Sequence, residues 1–436
     1  KGCHMKTYTE EARQLPISDE VDVIVVGGGP AGIGAALSSA RQGMKTLLVE
    51  QAGDVGGVAT TGLMSHWTGK TSGGLYEEIL ETSQKEGQKS RQTIDPEYLK
   101  TTLLSMLAKA NVIVRTYTFA CRPIMEANQV KGLIVESKSG REAILCKVLI
   151  DCSGDGDIAA QAGVPYYKGR EEDGKMQPAT LMFKVAGVHE EEINFPLPGG
   201  FENNPMIPKG PIQDLGKANL KSPIGHVLLY KSTIPGVITI NMTNALDIDG
   251  TNALDLTKAH ATCRQQMEPI KNFLREFVPG FEDCYIISSA SIVGIRETRH
   301  FEGEKTLTAE DILSAKVFDD WVVTHAHFNF DVHNITGAGL DKTGCQAKFP
   351  QSKTYTIPYG CLVPKHIDGL LLAGRNISGT HMAHSSYRVM PICVNLGQAA
   401  GTAAAIAISN QQKVRDISVA HLQTLLLENG VLPPEC

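Results

Sequence analysis

The sequence predicts an α/β protein built on a parallel sheet, with an antiparallel meander beside it. Three observations carry this expectation. The apolar runs Val21–Val26, Lys147–Cys152 and Gly369–Ala373 each stop abruptly at or near a glycine, as strands buried on both faces of a parallel sheet do. A helix-period stretch joins the first run to another at Met44–Glu50, all within the roughly 30 residues of one βαβ unit. The stretch from Cys121 to Val148 reads as a meander of antiparallel strands.

Taken in order, Val21–Val26 ends in Gly27-Gly28-Gly29-Pro30-Ala31-Gly32-Ile33-Gly34. A helix follows to Gln42, with Ile33, Leu37 and Ala40 at helical spacing. Gly43 closes it where a C-cap favours positive φ. Gly27-x-Gly29-x-x-Gly32 has the spacing of a dinucleotide fingerprint: the first glycine permits the tight turn, the second lets backbone N–H groups approach a diphosphate, and the third lets helix and strand pack closely. Pro30 and Ala31 open the helix, whose N-terminus presents partial positive charge to that diphosphate. Glu50 ends the next strand and is placed to accept hydrogen bonds from a ribose diol. Strand, glycines, helix, strand and terminal acid in this order predict a bound adenine dinucleotide.

The later segments bear on which dinucleotide it is. Gln51–Gly62 is a second loop of glycines and small residues, which suggests a cofactor that continues past its diphosphate into another pocket. Val112–Arg115 reads as a short strand, and Lys147–Cys152 runs into Ser153-Gly154-Asp155-Gly156-Asp157. Gly369–Ala373 stops at Gly374-Arg375, and a helix follows through Val394, Leu396, Gly397, Ala400, Gly401, Ala404 and Ala405. Pro391 suits its first turn. This helix N-terminus again aims backbone donors at an electron-rich group.

Composition narrows the function classes. A chain of 436 residues allows two or three domains and a core that needs no disulfide staples. Lys+Arg is 41 against Asp+Glu 47, a net charge of −6, and no basic run exceeds two residues, so neither nucleic acid nor an anionic membrane is expected as a partner. The uninterrupted apolar runs fall short of the roughly 18 residues of a membrane span. Ten cysteines are scattered singly without a C-x-x-C pair, which predicts buried thiols in a reducing, cytoplasmic setting and no structural metal. Met5 reads as a natural start, and Lys1–Tyr8 lacks the apolar core of a secretory leader.

Taken together, VDVIVVGGGPAGIGAA with Glu50, the GGVATTG loop, LIDCSGDGDIAAQAG and GLLLAGRNISGTHMAHSSYRVMPICVNLGQAAGTAAAIA resemble the FAD-dependent oxidoreductases. The resemblance is to the bacterial group with a glutathione-reductase-like FAD domain and no redox disulfide. Gly294–Arg299, Leu307–Asp311 and Asp331–Asn334 share it, so it extends from about Asp19 to Pro433. It implies a three-layer, Rossmann-like FAD/NAD(P)-binding domain over residues 19–163 and 354–436, with an inserted α+β substrate domain over 164–353. It also implies roles for single residues. Gly27, Gly29 and Gly32 flank the diphosphate, Glu50 holds the adenosine ribose, and Phe119 and Ala120 lie by the adenine. The loop from Gly57 to Thr61 passes near the flavin ring, Gly154 and Asp155 close the floor, and Gly374 and Arg375 run beside the ribityl chain.

The expected activity is hydride transfer between a small-molecule substrate and the flavin ring, with a histidine handling the proton. The electron donor or acceptor and the oligomeric state are not legible. Arg296, Arg299, His300, His325, His327, His333, His381, His384 and Arg388 are the candidates for a pocket. Arg296, Arg388, His333 and His384 are the expected catalytic set, the arginines as forks for a carboxylate or a carbonyl. His66 and Trp67 are further candidates for the pocket lining, Trp67 more readily as packing. His325-x-His327 would put both rings on one strand face, half of a metal shell, yet a structural reading suffices there and no metal is expected. Two other readings stay open: an NAD(P)-dependent enzyme without flavin, and a non-catalytic dinucleotide-binding sensor.

Overall fold

A computed structural model describes residues 6–200, 203–341 and 353–435. At its centre lies an all-parallel sheet of five strands, in the order Leu370–Leu372, Val148–Asp151, Val23–Val26, Thr46–Val49, Ile113–Arg115. Every residue of the first four is buried, which their aliphatic composition allows and a sheet covered on both faces requires. Leu371 pairs with Ile150, so the far end of the chain completes a sheet begun at its start.

Helices Pro30–Arg41 and Met390–Ser409 pack along this sheet and against each other. Their backbones nearly touch: a Cβ on Gly397 would stand 1.9 Å from the carbonyl oxygen of Ala31. The second helix is long and apolar enough to cross a membrane, which the uninterrupted runs do not reveal because Asn395, Gly397, Gln398 and Thr402 interrupt them. Here Met390–Ala407 is buried throughout, as a core helix. The meander comprises Phe119–Glu126, Gln129–Ser137 and Gly140–Leu145, with Ile17–Glu20 added in parallel at its edge. Its Val130, Leu133 and Val135 belong to the same core as the parallel sheet, giving the third layer.

The buried residues of a second hydrophobic core all fall within Ala179–Ala290, with Leu63, Val293 and Ile295 packed against it. Antiparallel strands Phe183–Ala186, Leu229–Lys231, Ile238–Ile240 and Tyr285–Ser289 form its sheet. Helix Ala253–Phe277 buries Ala259, Cys263, Met267, Ile270, Phe273 and Leu274 in this core, a stripe at helical spacing. This α+β unit is shorter than the expected 164–353. Strand Trp321–Ala326 pairs with Tyr355–Pro358, and Phe301, Val322, Val323 and Ile357 are buried in the first core. Apolar side chains thus return the chain to the cofactor domain well before residue 353. Residues 342–352, inside the expected insertion, lie outside the described residues.

Candidate active site

The fingerprint turn is sterically determined. Gly27 has φ +95°, and a Cβ there would lie 2.4 Å from the carbonyl oxygen of Cys152. A Cβ on Gly32 would lie 1.7 Å from the Gly27 oxygen, so only glycine lets the helix start against the turn. Gly29 is the N-cap of helix Pro30–Arg41, which has no side-chain cap. Its first N–H groups are therefore left for an external acceptor. Glu50 accepts from the backbone N–H of Gly28 at 2.7 Å and of Ala52 at 2.8 Å. Those bonds fix its carboxylate while lone pairs remain for a diol.

A cavity of about 620 Å³ opens at this turn. Gly27, Gly29, Pro30, Ala31 and Glu50 form one end of its wall, with Phe119 and Ala120 beside them. Gly57 and Thr61 contribute from the second loop, and Gly154, Asp155, Gly374 and Arg375 from the two later strand ends. Gly32 lies beneath the turn and does not line the cavity. Arg375 Nη1 donates to Asp155 Oδ1 at 3.1 Å, and Thr298 Oγ1 donates to the same oxygen at 2.7 Å. Beneath them, fully buried Asp151 accepts from Ser153 and from the N–H groups of Ile158 and Ala159. Burial raises its pKa against those bonds.

The rest of the lining includes Gly250, Leu256, Thr257 and His260 of the inserted unit and, just after it, Ser291–Val293 and Ile295. Of the expected catalytic set, Arg388 lines the cavity. Its Nη2 donates to Asp331 Oδ2 at 2.9 Å and to the Asp331 carbonyl at 3.0 Å. Arg296 follows the lining residue Ile295 and donates from Nη1 to the Pro178 carbonyl at 2.6 Å. His333 Nε2 stands 3.4 Å from Asp331 Oδ2. Burial and then Arg296 push His333 down to about 4. Burial would raise Asp331, but His333, Arg388 and Arg296 hold it well below the usual carboxylate range.

Of the other three expected catalytic residues, His333, His384 and Arg296, none is among those lining this cavity. His384 sits on helix His381–Tyr387, which Thr380 caps. It is 1% exposed, edge-on to His300 and Tyr387, and burial drives its pKa far down. The lining histidine is His260, which sequence reasoning missed. Its signal was available: Leu256, Thr257 and His260 fall together beside the Ala259–Cys263–Met267 core stripe.

The other candidates have structural partners. Arg299 donates to Asp157 Oδ1 and to the Asp155 carbonyl, both at 2.8 Å. His325 has φ +53°, which breaks the alternation of its strand, and its Nε2 bonds to the Pro433 carbonyl. His327 pairs through its backbone with Lys70. His66 lies between the hydroxyls of Ser65 and Thr68, and Trp67 packs on Tyr76. Glu297, His300 and His381 are buried with one ligating atom each within 4.8 Å of one another. Their contacts already satisfy them: Glu297 Oε1 lies 2.8 Å from His300 Nε2 and 2.5 Å from His381 Nδ1. Burial would raise the Glu297 pKa, yet these two histidines hold it well below the usual range.

A parallel sheet completed from both chain ends, with a glycine turn and a carboxylate at the next strand end, defines a dinucleotide-binding protein of the Rossmann type. The sequence model of the family described as FAD dependent oxidoreductase matches residues 22–426, and the chain belongs to that enzyme family, whose cofactor is FAD. This decides between flavin and nicotinamide, and against a non-catalytic sensor. A dihydrolipoyl dehydrogenase of Trypanosoma brucei brucei is 51% identical over 45 residues, 10% of this chain and 9% of the relative. A mitochondrial dihydrolipoyl dehydrogenase of Arabidopsis thaliana is 30% identical over 115 residues, 26% of this chain and 21% of the relative. The chain thus spans about a fifth or less of these curated relatives. Among solved structures, a geranylgeranyl bacteriochlorophyll reductase-like protein of Thermoplasma acidophilum is similar at 14% identity and a TM-score of 0.49, covering 95% of this chain and 84% of its own.

Proposed function

We propose that this chain exchanges a hydride between a small-molecule substrate and FAD, with a histidine on the cavity wall handling the proton. The carrying observation is that the glycine cradle and the inserted unit line one and the same cavity. A cofactor held at the fingerprint would therefore face residues free to select a substrate. FAD, when bound, supplies the two-electron chemistry. Glu50 holds the ribose end, the uncapped N-terminus of helix Pro30–Arg41 takes the diphosphate, and the Arg375–Asp155 pair forms the floor. Leu256, Val293 and Ile295 exclude water from the other side. His260 is the histidine with access to the cavity and is assigned the proton. Arg388 positions the substrate. A reducing, cytoplasmic setting accords with the seven described cysteines, all unpaired and six of them buried.

The test is anaerobic mixing of the FAD-loaded protein with a metabolite panel while the visible flavin band is followed. At least one metabolite should bleach it, and His260→Gln should slow that bleaching by about 10²-fold or more with FAD content unchanged. Protein that neither carries FAD when purified nor rebinds it would overturn the proposal.

A further inference from the structure

Behind Arg388 lies a polar cluster that cofactor binding does not account for. Arg388 holds Asp331, Asp331 faces His333, and the His333 backbone N–H donates to Gln177 Oε1 at 3.0 Å. Arg296 is anchored one residue further on, at the Pro178 carbonyl. The charges do not cancel. Asp331 is the one carboxylate among the groups that bear most on Arg296, against the two guanidinium groups themselves. His333, pushed down to about 4, adds nothing at neutral pH. Burial and then Arg388 lower Arg296 to about 10, the direction expected of a buried cation short of counter-charge.

The hydrogen bonding is incomplete in the same place. Among the described residues, Arg388 Nε and Gln177 Nε2 are buried donors without a partner, and Asp331 Oδ1 is a buried acceptor without one. Gln177 is only 2% exposed, so bulk water does not serve its amide. A buried excess positive charge beside unanswered donors is costly unless an anion completes it.

Resting on the function proposed above, we propose that Arg296 and Arg388, with Gln177, recognise the carboxylate of an anionic substrate, and that Asp331 receives a hydrogen-bond donor neighbouring that carboxylate. The substrate class is then small organic acids carrying an adjacent hydroxyl or amine. A guanidinium fork matches a carboxylate in shape as well as charge. Asp331 tethers Arg388 so that its fork stays aimed when the ligand is absent.

The test uses the FAD-loaded protein and isosteric probes: acetate and benzoate against acetamide and benzamide, with binding read from the bound cofactor's visible spectrum. FAD content is measured first; its absence would overturn the function proposed above rather than this assignment. The carboxylates should perturb the spectrum saturably and the amides should not. Arg296→Met should weaken carboxylate binding at least tenfold while retaining FAD, and Arg296→Lys should fall between it and the parent. Equal responses to acids and amides, or no response to either, would overturn the assignment in the parent protein without any variant. So would an Arg296→Met protein that keeps full carboxylate affinity and shows only a shifted flavin reduction potential, since the guanidinium would then serve the cofactor.

Discussion

At the scale of single residues, Glu50 is the side chain on which cofactor affinity should depend most. It accepts two backbone N–H bonds, and in the function proposed above its remaining lone pairs serve the ribose. Glu50→Ala removes the equivalent of one charged hydrogen bond to the cofactor, worth about 1.5 to 3 kcal/mol, so FAD affinity should fall by roughly ten- to hundredfold, measured by titrating apoprotein with FAD. His333 gives a pH dependence of known sign. In the unfolded chain its ring protonates below about 6.5, whereas the folded ring stays neutral to about 4. Between these values the unfolded state binds more protons, so stability falls as the pH drops. The loss should reach on the order of 2 kcal/mol, and His333→Gln should show a shallower decline of melting temperature across pH 6.5 to 4. Identical slopes would mean that His333 carries none of it. The sequence made both residues visible, but only one role legible. Glu50 is read from its place at a strand end, whereas His333 depends, besides its neighbour Asp331, on the charges of Arg296 and Arg388, which lie far from it along the chain.

At the scale of elements, the closely packed helix pair Pro30–Arg41 and Met390–Ser409 ties the two chain ends together. Gly397→Leu would drive a side chain into the backbone of Ala31, and chemical unfolding should show a loss of about 3 kcal/mol or more. Gly43 offers the contrast. It has φ +85° but nothing within 4 Å of a Cβ, so Gly43→Ala should cost only about 1 to 2 kcal/mol. Equal losses at the two positions would refute close helix approach as the reason for Gly397. The elements of the cofactor domain were legible because each is announced locally, by a β-branched run and a glycine stop. The inserted unit was less so. Phe301, Val323 and Ile357 look the same in sequence whichever core they join.

At the scale of the whole molecule, the cavity is walled by both the cofactor domain and the inserted unit, so FAD should stabilise the folded chain as one ligand bridging two cores. At a hundredfold excess over Kd the stabilisation should be about 2.7 kcal/mol, seen as a rise in melting temperature that NAD at the same concentration does not reproduce. If calorimetry shows only one of two transitions shifting, the cofactor touches a single core. What the sequence by itself determined is the cofactor cradle. Its turn, helix start and strand ends are backbone features, and glycine at fixed spacing dictates backbone conformation locally. What only the tertiary structure decided is the substrate side. Placing His260 and Arg388 on the cavity wall, burying His384 in the core and gathering Arg296 and Asp331 beside Arg388 are outcomes of packing between segments far apart in sequence. Side-chain chemistry becomes function only through such contacts, and no local pattern encodes them.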